Sequence, residues 1–146
     1  MKLFSFLKKK PDRRTEKKKV GDTGEALAAQ YLEKKGYTIL ERNWVSGKKE
    51  LDIVALYKNE VVFAEVKTTG SDRAESFKAP SEFVDLEKRR NLTDATREYV
   101  AYRKRIYPLH TEYYRFDVIE VFLNREKPEI NHIENAFYRE KGYKKK

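Results

Sequence analysis

Residues 50–67, ELDIVALYKNEVVFAEVK, decide how this chain folds. Two apolar runs, Leu51 to Tyr57 and Val61 to Val66, flank the polar step Lys58-Asn59, which is the pattern of a tight β-hairpin. With Tyr57 facing Glu60 across a two-residue loop, Asp52 falls opposite Glu65 and Glu50 opposite Lys67, all four on one face. Directly opposed residues bring their Cβ atoms to roughly 4.5–5.5 Å, where two like charges destabilise the pair. The same face carries Val54 opposite Phe63 and Leu56 opposite Val61; the reverse face carries Leu51, Ile53, Ala55, Val62, Ala64 and Val66. A hairpin apolar on both faces belongs at the centre of a sheet covered by other layers, so its carboxylates end a buried surface and need a counter-charge. A divalent cation between Asp52 and Glu65, with the Lys67 ammonium beside it, would supply that charge and is also the equipment of a phosphodiester hydrolase.

Outward from the hairpin, Gly21-Asp22-Thr23-Gly24-Glu25 opens a helix predicted to run to about Lys35 and stop at Gly36, with Leu27, Ala28, Tyr31 and Leu32 as its apolar stripe. A strand follows near Tyr37 to Trp44. Beyond the hairpin, a polar loop from Thr69 to Ser81 leads into a helix predicted over Val84 to Lys104, with Leu92, Ala95, Tyr99 and Val100 facing the core. Tyr113 to Leu123 reads as a strand apolar on both sides, and Glu129 to Ile133 as a short final strand. The order read from the pattern is helix, three strands, helix, strand and a short further strand, an α/β arrangement.

The 146 residues suit one domain, here 21–138. Residues 1–20 hold nine Lys or Arg against two acids and residues 139–146 hold five against one, so these ends carry +7 and +4 of the total +9 and leave −2 for the rest. Both ends read as basic, disordered tails that favour a polyanion through counterion release or simply stay solvated. Met1 to Leu7 could dip into an anionic membrane surface, a reading ranked below disorder. The chain has no cysteine, which excludes disulfides and thiolate chemistry, and no run long enough to span a membrane. A cytoplasmic location is the default expectation.

Helix with Gly24-Glu25, strand with Glu50-Leu51-Asp52, strand with Glu65-Val66-Lys67: in this order the chain resembles the restriction-endonuclease-like, or PD-(D/E)xK, superfamily, including Holliday junction resolvase-like nucleases. More narrowly, it is similar to the uncharacterised YraN-like bacterial family over roughly residues 20 to 137. Gly21, Gly36-Tyr37, Pro80, Lys88, Arg115-Phe116-Asp117-Val118 and Asn135-Ala136-Phe137 extend the match. The resemblance implies a restriction-endonuclease-like α/β fold, an αβββαβ core with a mixed central sheet flanked by helices, in which Asp52 and Glu65 bind Mg²⁺ or Mn²⁺, the Val66 carbonyl completes part of the sphere, and Lys67 handles the attacking water. It also implies that Glu25 assists the metal. Leu51 stands where proline often precedes the aspartate, and Thr69 and Lys78 stand where the family pattern has arginine and glycine.

Each of these residues has a plainer reading beside the functional one. Asp52 and Glu65 could be strand-end carboxylates paired with Lys67 and Lys88, and Lys67 could be the counter-ion of Glu50. With Asp22 as N-cap, Glu25 falls where a capping-box carboxylate belongs. Lys88 and Arg89 open a basic cluster that could meet phosphates or merely be solvated; Arg115 could join them, or pair with Asp117 on its own strand. His110 and His132 fit no metal or triad spacing.

The leading expectation is a metal-dependent endonuclease acting on DNA rather than RNA, including structured or branched DNA. The alternative is a non-catalytic nucleic-acid-binding module of the same fold, and a third reading is a protein adaptor. Catalytic residues would be Asp52, Glu65, Lys67 and Glu25; metal ligands Asp52, Glu65 and Glu25; nucleic-acid contacts Lys88, Arg89 and Arg115. The oligomeric state is left open, a homodimer being common among resolvase-like proteins.

Overall fold

The computed structural model describes residues 15–70, 86–106 and 113–137. Helix α1 (Glu16–Lys34) is followed by strands β1 (Thr38–Ser46), β2 (Lys49–Tyr57) and β3 (Glu60–Thr69), helix α2 (Leu86–Ile106), and strands β4 (Tyr113–Phe122) and β5 (Glu129–Phe137). The five strands form one sheet in the order β1-β2-β3-β4-β5. β3 and β4 run parallel and the other neighbours antiparallel, giving the expected mixed sheet. A parallel pair needs a crossover, and α2 lies within the connection from β3 to β4.

Helix α1 begins earlier than its glycines suggest. Thr15 is the N-cap, its hydroxyl accepting the Lys18 N–H at 3.1 Å, so Asp22 and Glu25 lie inside the helix and the capping-box reading of Glu25 is replaced. Gly21 and Gly24 resemble a helix start because glycine is a poor helix former. The helix ends where expected: Gly36 adopts φ +94°, its N–H donates to Glu33 and the Tyr37 N–H donates to Leu32, a Schellman closure. Residues 71–85, which hold most of the expected loop from Thr69 to Ser81, and the ends at 1–14 and 138–146 lie outside the described residues, as does His110; Thr69 itself closes β3.

The sheet is covered on both sides. Ala28, Ala29 and Leu32 of α1 pack on Ile53, Ala55, Val62, Ala64, Ile119 and Val121. Leu92, Ala95 and Tyr99 of α2 pack on Val54, Val61, Phe63, Phe116 and Val118. Gly24 lets α1 settle onto β3: a Cβ there would collide with the Thr68 side chain, lying 2.8 Å from its Cβ. No described helix is long and apolar enough to cross a membrane.

Candidate active site

The hairpin register is the expected one over its paired length, from Tyr57–Glu60 to Ile53–Ala64. Beyond that length β2 changes. Ile53 packs on the α1 side, yet Leu51, two residues earlier, packs on the α2 side with its β1 partner Trp44. Residues two apart on a regular strand share a face, so the pleat switches between these rungs, where Asn43 takes a left-handed φ of +52°. This corrects the expectation that Leu51 lies on the reverse face with Ile53. Asp52 stands at the switch, and its Oδ2 accepts the Val66 N–H of β3 at 2.9 Å. In the continued register Val66 would have faced Leu51; the Asp52 side chain engages its main chain instead.

The Asp52 and Glu65 side chains act directly on each other, and Glu65 is only 8 % exposed. Both help line a cavity no larger than a water molecule, whose other walls are Leu51, Ile53, Phe63, Ala64, Leu92 and Phe116. This apolar lining is the reason for the electrostatics. Burial pushes the Asp52 carboxyl up to about 8, the Glu65 charge adds to the shift, the Val66 N–H opposes it, and Glu25 adds a smaller push.

Two ammonium groups answer the acids. Lys67 Nζ lies 3.5 Å and Lys88 Nζ 2.7 Å from Glu65 Oε1. Burial pushes the Lys67 ammonium below its ordinary value, with Lys88 adding and Glu65 opposing. At Lys88 burial also acts downward, but the Glu65 carboxylate outweighs it and the net shift is upward. Glu25 lies on α1; burial raises its pKa and the nearby Asn43 side chain opposes the rise. Asn43 is thus a site residue that the sequence reading missed. Its signal was weak, since asparagine in a strand hints at a left-handed position without saying what faces it.

The donors suit a hard divalent cation. Asp52 and Glu65 offer carboxylate oxygens at one point, and Mg²⁺ commonly takes one or two carboxylates and completes its shell with water and substrate phosphate. Among the described residues no three His, Asp or Glu side chains converge as a ready-made metal shell. Glu25 is linked to the pair by its charge, which acts on Asp52.

Arg115 lies elsewhere. It is 6 % exposed, with Nε and one terminal nitrogen on the two oxygens of Asp117 at 2.9 and 3.0 Å, and it also donates to the Tyr37 hydroxyl at 2.7 Å. His132 Nε2 lies 2.6 Å from Asp117 Oδ2, and the Asn135 N–H donates to Oδ1 at 3.1 Å. Arg115 is thus engaged in a buried network binding β4, β5 and the end of α1, the pairing reading of the sequence, and its geometry gives no support to a phosphate contact. Lys88 and Arg89 remain half-buried on the first turn of α2.

Comparison with known proteins places relatives around this geometry. The profile of the Uncharacterised protein family UPF0102 matches residues 24–121, a span running from Gly24 and Glu25 through β4. A UPF0102 protein of Caldanaerobacter subterraneus subsp. tengcongensis is 46% identical over 130 residues, covering 86% of this chain and 99% of the relative. One from Flavobacterium psychrophilum is 42% identical over 119 residues, covering 82% and 93%. Another, from Syntrophomonas wolfei subsp. wolfei, is 43% identical over 120 residues, covering 82% and 98%.

Proposed function

The chain belongs to the uncharacterised protein family UPF0102, and from its Asp52, Glu65 and Lys67 geometry we propose that it is a metal-dependent endonuclease hydrolysing DNA phosphodiester bonds. The observation that carries this reading is the pair of interacting acids that help line one small, otherwise apolar cavity, with Asp52 pushed up to about 8 and a half-buried lysine alongside. A structural salt bridge needs no such pair of acids; a cation site does. DNA as substrate, and branched or structured DNA within that class, follows from the likeness of the motif order to resolvase-like nucleases.

Asp52 and Glu65 would hold Mg²⁺ or Mn²⁺, with the Val66 main chain turned to the same side as Asp52. Bound there, the cation would polarise the scissile phosphate and make the attacking water more acidic. Lys67 is held beside Glu65 and is already partly stripped of water, so its ammonium stabilises the negative charge that develops on the phosphoryl oxygens. The Val66 N–H fixes the Asp52 carboxylate, and Gly24 with Asn43 fixes where Glu25 stands.

The test is incubation of labelled single-stranded, duplex, flapped and four-way DNA with the protein in Mg²⁺ or Mn²⁺, beside a folded Glu65→Ala variant. Cleavage that disappears in the variant supports the nuclease. Salt-sensitive binding without cleavage, indifferent to Mg²⁺ and to Asp52→Ala, would favour a non-catalytic nucleic-acid-binding module instead.

A further inference from the structure

Two ammonium groups converge on one oxygen. Lys88 Nζ lies 2.7 Å and Lys67 Nζ 3.5 Å from Oε1 of Glu65, so the shorter contact comes from α2 rather than from the Glu-Val-Lys run itself. The partners differ in their access to solvent: the Glu65 side chain is 8 % exposed and that of Lys88 40 %. Glu65 is therefore shielded within the sheet, and Lys88 is the more exposed of its two ammonium partners, at 40 % against 32 % for Lys67. A carboxylate oxygen held at 2.7 Å by an ammonium offers the same lone pairs that a hard cation needs, so the two occupants compete at Oε1.

Resting on the metal-dependent reading above, we propose that Lys88 gates assembly of the centre. It caps Glu65 in the free protein, then moves to a phosphate of the bound nucleic acid and leaves Oε1 to the divalent cation. Lys67 stays beside Glu65, carried by the same strand. Cation and nucleic acid then bind with positive coupling, and by linkage each raises the affinity of the other equally. The device would keep the carboxylate pair neutralised until a phosphate is present.

Two measurements on the full chain test this. In the first, Mn²⁺ is titrated without nucleic acid and free Mn²⁺ is read by electron paramagnetic resonance. Lys88→Met should bind Mn²⁺ about tenfold more tightly than the wild type, a coupling of ordinary size. Lys88→Gln should do the same, and adding Asp52→Asn to either should abolish the gain; melting curves identify a variant that fails to fold. Asp52-dependent binding that is equal or weaker in both lysine variants overturns the gate and leaves the metal centre standing. Absence of Asp52-dependent binding in every protein overturns both.

In the second, labelled duplex is titrated without divalent metal at several salt concentrations. Lys88→Met should weaken binding and reduce the salt slope by about one counterion. Unchanged affinity and slope would overturn the transfer of Lys88 to phosphate.

Discussion

At the scale of single residues, Asp52 concentrates the chemistry. Its carboxyl is pushed up to about 8 from an ordinary 3.8, so the folded, metal-free protein holds a proton there that the unfolded chain releases near pH 4. The resulting stability is complete below pH 4 and is lost as pH rises through 8. Other groups titrating, the difference between Asp52→Asn and wild type isolates this contribution: in a metal chelator, the melting temperature of Asp52→Asn relative to wild type should rise between pH 5 and pH 9. A difference that stays flat over that range would show that Asp52 is ionised throughout. Lys67→Met should leave the melting temperature nearly unchanged but cut cleavage about 10²–10³-fold, the usual scale for removing one stabiliser of transition-state charge. Equal rates would remove Lys67 from the mechanism. Hairpin arithmetic put Asp52, Glu65 and Lys67 on one face, although the ladder it assumed ends at Ile53–Ala64, and their roles came from the resemblance. The Lys88 contact at 2.7 Å was legible only as a possible pairing, and the role of Asn43 was hidden because it depends on a pleat switch that alternation does not foresee.

Elements explain why those residues stay in place. The Gly24 backbone lies against Thr68, so Gly24→Ala must push α1 from β3 or displace the threonine, overpacking that costs about 1–3 kcal/mol. Chemical denaturation should show that loss, and full stability in the variant would mean the contact relaxes freely. On β4, Asp117 is fully buried and receives Arg115, His132 and the Asn135 N–H. Asp117→Ala leaves a buried guanidinium without its carboxylate and should cost about 3–5 kcal/mol, read in the same way. The bulge of β5 opposite Asp117, with Asn135 at φ +51°, makes room for this network. From sequence the pairing of Arg115 with Asp117 was visible as an option because residues two apart share a strand face. Its extension to Tyr37 and His132 was not, since those partners come from 78 and 15 residues away. The early start of α1 was missed for a related reason: glycine lowers helix propensity, and only the packing of Gly24 on Thr68 shows why one belongs inside this helix.

For the whole molecule, the order of helices and strands was readable from periodicity, the mixed sheet came from the resemblance, and family membership accords with the motif order. Charge is distributed so that the ends and the centre have different tasks. Residues 1–14 carry six Lys or Arg against one acid, and residues 138–146 five against one, so together they account for the entire net +9. Removing both ends should weaken DNA binding and make its salt dependence shallower, while the cleavage rate at saturating DNA stays within about twofold, because phosphate contacts raise affinity without supplying chemistry. A collapse of the saturated rate would place part of the catalytic machinery in the ends. The central claim is that Asp52 and Glu65 make a hydrolytic metal centre, and single-turnover cleavage of DNA in Mg²⁺ by wild type and folded Asp52→Asn tests it most directly. The account predicts wild-type cleavage and a fall of about 10³-fold or more in the variant; wild-type inactivity on every DNA structure, or equal rates in the two proteins, would contradict it.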